Sequence, residues 1–203
     1  MACVLTKGLT VDCKDQIGGL KAIFFASTYS PEVRSAATFN GTDVLQMDTA
    51  GFTGWSAYGN PTASTVTVFK YALRPNLSSM TVNINSDPAT GTTWFEQTLS
   101  LTLQKLSVAQ TNEIKLVSYN RSQVFVQDVN DNVFLLGMDN GCDISGGTAV
   151  TGAAKSDMSG YTLELRAEER DPMIWLPATA GSGTDYPFDG LSDADADLTI
   201  VAS

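Results

Sequence analysis

The stretch Thr92 to Leu103, TTWFEQTLSLTL, places Phe95, Leu99, Leu101 and Leu103 on one parity and Glu96, Thr98, Ser100 and Thr102 on the other, and Gln104 continues the polar set. Period-two alternation puts successive side chains on opposite faces of an extended chain, so this is a half-buried β-strand. It is long and free of Gly and Pro, which lets it cross a whole sheet. The rest of the chain is organised around it.

Before it, Leu20 to Ala26 (LKAIFFA) follows Gly18-Gly19 and reads as a strand. Thr65 to Arg74 (TVTVFKYALR) reads as another, whose apolar parity switches between Val68 and Phe69 as a β-bulge would make it. Pro75-Asn76 supplies a turn, and Met80, Val82 and Ile84 alternate with Thr81, Asn83 and Asn85. Residues 66 to 103 are therefore expected to form a three-stranded antiparallel meander.

After it, Ser107 to Gln110 has capping-box spacing, and Leu106, Ile114 and Val117 share the apolar stripe of a short helix. Val124 to Val126 and Val133 to Leu136 are apolar on both faces and flank Asn130-Asp131-Asn132, which predicts a central hairpin. Asp139-Asn140-Gly141 makes a turn and Thr148 to Lys155 a short strand. Tyr161, Leu163, Leu165 and Ala167 then alternate strictly with Thr162, Glu164, Arg166 and Glu168, and Met173 to Leu176 closes a sheet. The class is mainly β with one short helix.

Two segments stand apart. From 28 to 64 only Asp43 to Met47 reads as a strand; the remainder is punctuated by Gly and Pro around Phe39, Phe52, Trp55 and Tyr58. Long segments without periodicity are usually functional or disordered. The aromatics here either contact a partner or fold back on their own core. From 178 to 203 the chain is rich in Gly, Ser, Asp and Ala with a small apolar tip, Leu198 to Val201, and reads as an acidic arm. The expected organisation is one domain over 1–177, with 28–64 as a long loop, and an extension over 178–203.

Composition excludes more than it assigns. The net charge of −10, from 22 acidic against 12 basic residues, argues against a protein that grips nucleic acid, which needs cations to displace phosphate counterions. It does not argue against one that lets DNA pass. No apolar run reaches the roughly 18 to 20 residues that span a bilayer, and the opening MACVLTKGLT lacks a basic region followed by an apolar core, so neither membrane nor secretory signal is expected. With 0 histidines, Ser-His and Cys-His nucleophiles and H-E-x-x-H zinc sites are excluded. Cys3, Cys13 and Cys142 are odd in number and lack metal-ligand spacing; they are expected to be reduced thiols.

Candidate sites are few. Asp193, Asp195 and Asp197 open like a calcium loop, but Leu198 stands where that loop needs Gly, and Val133 fails the same requirement after Asp128, Asn130 and Asn132. A hairpin turn explains the second set. Glu168, Glu169 and Asp171 read as a solvated edge, and Gly146-Gly147 lacks the residues of a phosphate loop. No cofactor, metal or catalytic residue is expected.

The succession GGLKAIFFA, FKYALR, WFEQTLSLTLQKL, VFVQDVNDNVFLLGMDNG and G-x-A-x-x-D-M-x-G-Y-T-L-E-L running into E-E-R-D-P resembles the tail tube, or major tail, proteins of long-tailed bacteriophages, in particular divergent versions from phages of Bacteroidota and related hosts. It is a recurring arrangement rather than a signature motif, and the 28–64 segment and acidic extension depart from it. The resemblance implies two packed antiparallel sheets with a flanking helix, assembled as hexameric rings whose inner sheets close into a β-barrel. Stacked rings would form the conduit for DNA ejection in the virion, in contact with other tail proteins, after synthesis in the bacterial cytoplasm. On that reading Phe52, Trp55 and Tyr58 are candidates for ring-to-ring contact, and Glu96 and Glu164 for lumen charge. The alternative is a virion surface module that binds a receptor or carbohydrate through Trp55 and Tyr58.

Overall fold

A computed structural model describes residues 14, 16–27, 29–31, 33–40, 43–52, 66–177, 186–190 and 198–202. The elements are β1 (Leu20–Ala26), α1 (Val33–Ala36), β2 (Ala37–Asn40), β3 (Asp43–Phe52), β4 (Val66–Ala72), β5 (Ser79–Asp87) and β6 (Thr92–Gln104). After them come α2 (Val108–Tyr119), β7 (Val124–Asp128), β8 (Val133–Leu136), β9 (Asp143–Val150), β10 (Gly160–Glu169), β11 (Ile174–Trp175) and β12 (Leu198–Ala202). Among the described residues they form an 8-stranded sheet, ordered β12-β4-β1-β7-β8-β11-β3-β2, and a 4-stranded sheet, ordered β5-β6-β10-β9. Neither sheet closes on itself. The mainly β class, with two sheets and a short flanking helix, is the one expected.

Strands β1, β7 and β8 are apolar on both faces because each face meets a different core. Phe24, Phe125 and Leu135 join one cluster, which also takes Met47 from β3 and Val68 from β4. Ile23, Phe25, Val124, Val126 and Leu136 join the other, against Leu99 and Leu101 of β6, Leu163 and Leu165 of β10, and Ile114 of α2. Burying each such side chain contributes about 1.5–3 kcal/mol. Lys21 bulges out of β1, where the pairing with β7 shifts between Leu20 and Ala22, and Leu20 is thereby turned into the second cluster.

The alternation in β6 and β10 is realised in full register, from Gly160 opposite Gln104 to Glu169 opposite Phe95. Gln97, Leu99 and Leu101 are buried on one strand and Tyr161, Leu163, Leu165 and Ala167 on the other. At α2, Ser107 Oγ accepts from Gln110 N at 3.2 Å. The reciprocal half of the capping box is not made, since Gln110 Oε1 is buried without a partner. The β7–β8 turn is held by Asp128, whose carboxylate accepts from Asn132 N (2.8 Å) and Asn132 Nδ2 (2.9 Å), with Asp131 at φ 65°. That turn accounts for the calcium-like spacing of Asp128, Asn130 and Asn132.

Five expectations are corrected. The meander fails at its first strand: β4 pairs with β1 and, in parallel, with β12, while β5 pairs with β6 in the other sheet. β4 carries apolar groups on both faces, Val68 toward one core and Tyr71 toward the other, and so belongs in the doubly packed sheet. For the same reason β4 has no bulge; its register runs unbroken from Ala22 opposite Ala72 to Ala26 opposite Val68. Strand β9 starts earlier than Thr148 and passes through Gly146 and Gly147. A Cβ at Gly147 would lie 2.8 Å from Thr162 O, so the close approach of β10 requires glycine there.

The segment expected as loop contains α1, β2 and the ten-residue β3. The C-terminal stretch expected as an arm is, at 186–190 and 198–202, built into the domain. Phe188 is 1% exposed and packs edge-to-face on Phe24 and Phe125, each at 5.1 Å, and β12 extends the large sheet.

Leu99→Ala and Leu101→Ala should each cost about 2–5 kcal/mol in denaturant titrations. Leu103→Ala should cost less, because Leu103 is only half-buried, and Thr102→Ala, on the opposite face, least. Equal losses at Leu101 and Thr102 would contradict the burial of one face.

Candidate assembly surface

Where β5, β6 and β10 pair, the outward face of the 4-stranded sheet is polar; Trp94, 39% exposed, lies on the same face beyond the end of β10. In register across it lie Thr81, Thr98 and Arg166, then Asn83, Glu96 and Glu168, then Ser79, Ser100 and Glu164. Thr148 and Thr162 continue the face onto β9, with their hydroxyls 2.6 Å apart. This is the polar parity of strands whose other parity fills the core, so composition alone fixes which way it looks.

Its charge is acidic and unevenly compensated. The Arg166 guanidinium reaches Glu96 at 2.8 Å and Glu168 at 2.7 Å. Exposed pairs of this kind contribute about 0–1 kcal/mol at most, so they orient side chains more than they stabilise the sheet. Among the described residues no cation pairs with Glu164; its carboxylate accepts from Ser145 Oγ at 3.1 Å. Glu96 and Glu164, singled out from sequence as charges, thus share one solvent-facing surface, with Glu96 tied to Arg166.

Among the described residues both borders of this sheet are unpaired: β5 and β9 are its end strands. Edges are usually protected by Lys, Pro, bulges or short length. β9 has a bulge, where its register with β10 shifts between Glu164 and Leu165. β5, SMTVNINSD, has nine residues, no Lys, no Pro and an unbroken register with β6. It presents a long unprotected row of backbone donors and acceptors.

Beneath the opposite end lies a polar cluster that the sequence concealed. Glu169, expected at a solvated edge, is 3% exposed; its carboxylate accepts from Asp139 N (3.1 Å) and Asn140 N (2.7 Å). Burial pushes its carboxyl above the ordinary range, against the pull of those two N–H groups and of Arg34. Arg34 bridges Asp139 and, at 2.6 Å, Asp171. Buried Gln97 donates to Pro172 O (2.8 Å) and accepts from Gly137 N (2.9 Å). The strict alternation of β10 carries on two residues past Ala167 to Glu169, and that was the available signal.

Of the residues singled out for contact between rings, Phe52 ends β3 with its backbone opposite Ala37, and Trp55 and Tyr58 lie outside the described residues. So do Asp193, Asp195 and Asp197. Among the described residues no group of three His, Cys, Asp or Glu side chains is placed to hold a metal ion, and no helix is long and apolar enough to cross a membrane. Cys142 is buried and reduced, and burial raises its thiol pKa far out of the reactive range.

No family model and no curated protein matches the sequence. A solved structure described as "Virion of native gene transfer agent (GTA) particle" aligns with a TM-score of 0.32 and 6% identity, over 49% of this chain and 82% of that one. A likeness at that level does not establish a common fold.

Because its folded-state pKa is raised, Glu169 contributes stability that is present below its unfolded pKa and lost as pH rises through the folded value. The stability of the protein relative to Glu169→Gln should therefore fall with rising pH above the ordinary Glu range. Urea titrations at a series of pH values measure this; a difference that grows with pH would contradict it.

Proposed function

We propose that this chain is a structural subunit of a virion and, more finely, of a phage tail tube. The supporting observation is the pairing of an unprotected strand edge, β5, with a polar and acidic face, in a sheet whose other edge, β9, is of comparable length. Joining β5 of one copy to β9 of the next satisfies both rows of backbone groups and extends the sheet around a ring. The core faces of the sheet then look outward, and the polar face looks into the bore.

Six copies per ring is the number the sequence resemblance implies. Glu96 and Glu164 would face the lumen, where acidic groups repel the phosphate backbone and leave DNA nothing to stick to. Genomic DNA would be cargo in transit rather than a bound ligand. No chemistry is asked of the protein, in keeping with a sequence that has 0 histidines.

Purified protein should form rings and hollow tubes by negative-stain microscopy, with a concentration-dependent boundary in sedimentation velocity. A sharp monomer at the highest concentration reached would overturn the reading. Glu164→Lys should leave the tubes intact and make them retain duplex DNA at low salt, where attraction is least screened. Tubes of this variant that retain no more DNA than wild type would remove the electrostatic basis of the proposed lumen.

A further inference from the structure

The two ends of the β5–β6 hairpin are unlike. Pairing of β6 with β10 stops at Phe95, so the distal part of the hairpin is a two-stranded ribbon. Its inner face pairs Ile84 with Phe95; Ile84 is 71% exposed and Phe95 half-buried. Trp94, on the other face, is 39% exposed. Isolated two-stranded ribbons are marginal in water, and one that also shows large apolar side chains calls for a cover.

At the root of the same hairpin lies a cavity of about 610 Å³ between the end of β6, α2, β4 and β12. Leu103, Ile114 and Val201 give it an apolar lining, and Arg74 and Lys105 stand around it against one acid, Glu113; Lys70 also lies in the wall, but its ammonium sits over the Phe24 ring on the other face of β4. Gln110, whose Oε1 is buried without a partner, is also in its wall. Between Arg74 and Lys105 the chain carries no Lys or Arg, and its charges are Asp87 at the ribbon's end and Glu96. Backbone N–H groups of Ala89 and Thr90 help keep the Asp87 carboxyl below its ordinary range and therefore ionised. One end of the hairpin is thus apolar and acidic, and the other is a basic apolar hole. A 13-residue strand separates them by about 40 Å.

We propose that the distal β5–β6 ribbon of one copy docks into the root cavity of the next copy along the strand direction. A head-to-tail contact of this kind does not close on itself, so it propagates an open stack, whereas strand pairing closes the ring. Ile84 fills the apolar part and Asp87 meets the basic rim. This rests on the tube reading, to which it adds the axial contact.

Ile84→Lys and Arg74→Glu both alter exposed positions and should leave the monomer's melting temperature near wild type. Each should raise the critical concentration for tubes about tenfold or more, the equivalent of about 1.4 kcal/mol per contact, while rings persist. Asp87→Lys combined with Arg74→Glu reverses the proposed ion pair and should regain part of the loss that either change causes alone, a coupling expected only for side chains in contact. Tubes forming at the wild-type concentration in either single variant would overturn the docking and leave the tube reading standing. So would a cavity that takes up decanoate without shortening the tubes, since the site would then belong to a small amphiphile. Wild-type protein that never assembles overturns both.

Discussion

Everything in this molecule leans on the two-sided burial of β1, β7 and β8. A sheet with apolar groups on one face needs one partner layer; these strands are apolar on both, and so need two. One is the 4-stranded sheet with α2. The other is supplied by the 8-stranded sheet itself with Phe188, since Val68 of β4 and Met47 of β3, from opposite ends of the strand order, reach the same cluster. The sheet must curl to bring them together. Once these faces are dry, the 4-stranded sheet is left with one solvated face and two open edges, and its role follows from what remains uncovered.

The polar cluster around Glu169 addresses a separate difficulty, how to fasten the α1–β2–β3 excursion to that core. Val33, Ala37 and Met47 pack it on the core, but its strand pairing to the rest of the sheet is slight: β3 meets β11 at one pair of residues, Trp175 and Gln46. Arg34, just inside α1, reaches across to Asp139 and Asp171, each some hundred positions away in sequence. A buried carboxylate or guanidinium left unpaired is costly, so removing one member strands the others. The cluster is thus specific rather than merely adhesive, because only one placement of the excursion satisfies all of its donors and acceptors.

Much of this was legible in the sequence where one physical rule acted alone. β6 and β10 are half-buried along most of their length, and their parity reads directly; β7 and β8 are doubly buried and show it by having no polar parity. β4 misled because a strand with apolar groups on both faces and a lysine among them imitates a singly buried strand with a bulge. The pairing of β4 with β12 could not be read, since parallel edge pairing between segments some hundred and thirty positions apart leaves no local trace. Glu169 was misassigned for a related reason. Two acidic neighbours at a strand end look alike in sequence, yet alternation sends Glu168 to solvent and Glu169 inward, where two backbone N–H groups make its burial tolerable. The candidate lumen charges could be picked as polar-parity residues, but Arg166, which distinguishes Glu96 from Glu164, was visible only in three dimensions.

As the tube subunit proposed above, the chain would face a conflict of requirements, since subunits of a conduit must adhere strongly while the surface they build must adhere to nothing. Strand addition separates the two. Association through an edge uses backbone N–H and C=O groups, which every residue but proline carries, so the outward side chains of β5, β6, β9 and β10 are left free to be threonine, serine, asparagine and glutamate. The inward side chains are equally constrained by the core and equally indifferent to what passes through the bore. On the proposed reading, the same separation would explain why β5 can go without the lysines and prolines that guard most free edges. In a protein that works alone such an edge is a hazard; in one that works as a polymer, it is the part of the surface on which assembly depends.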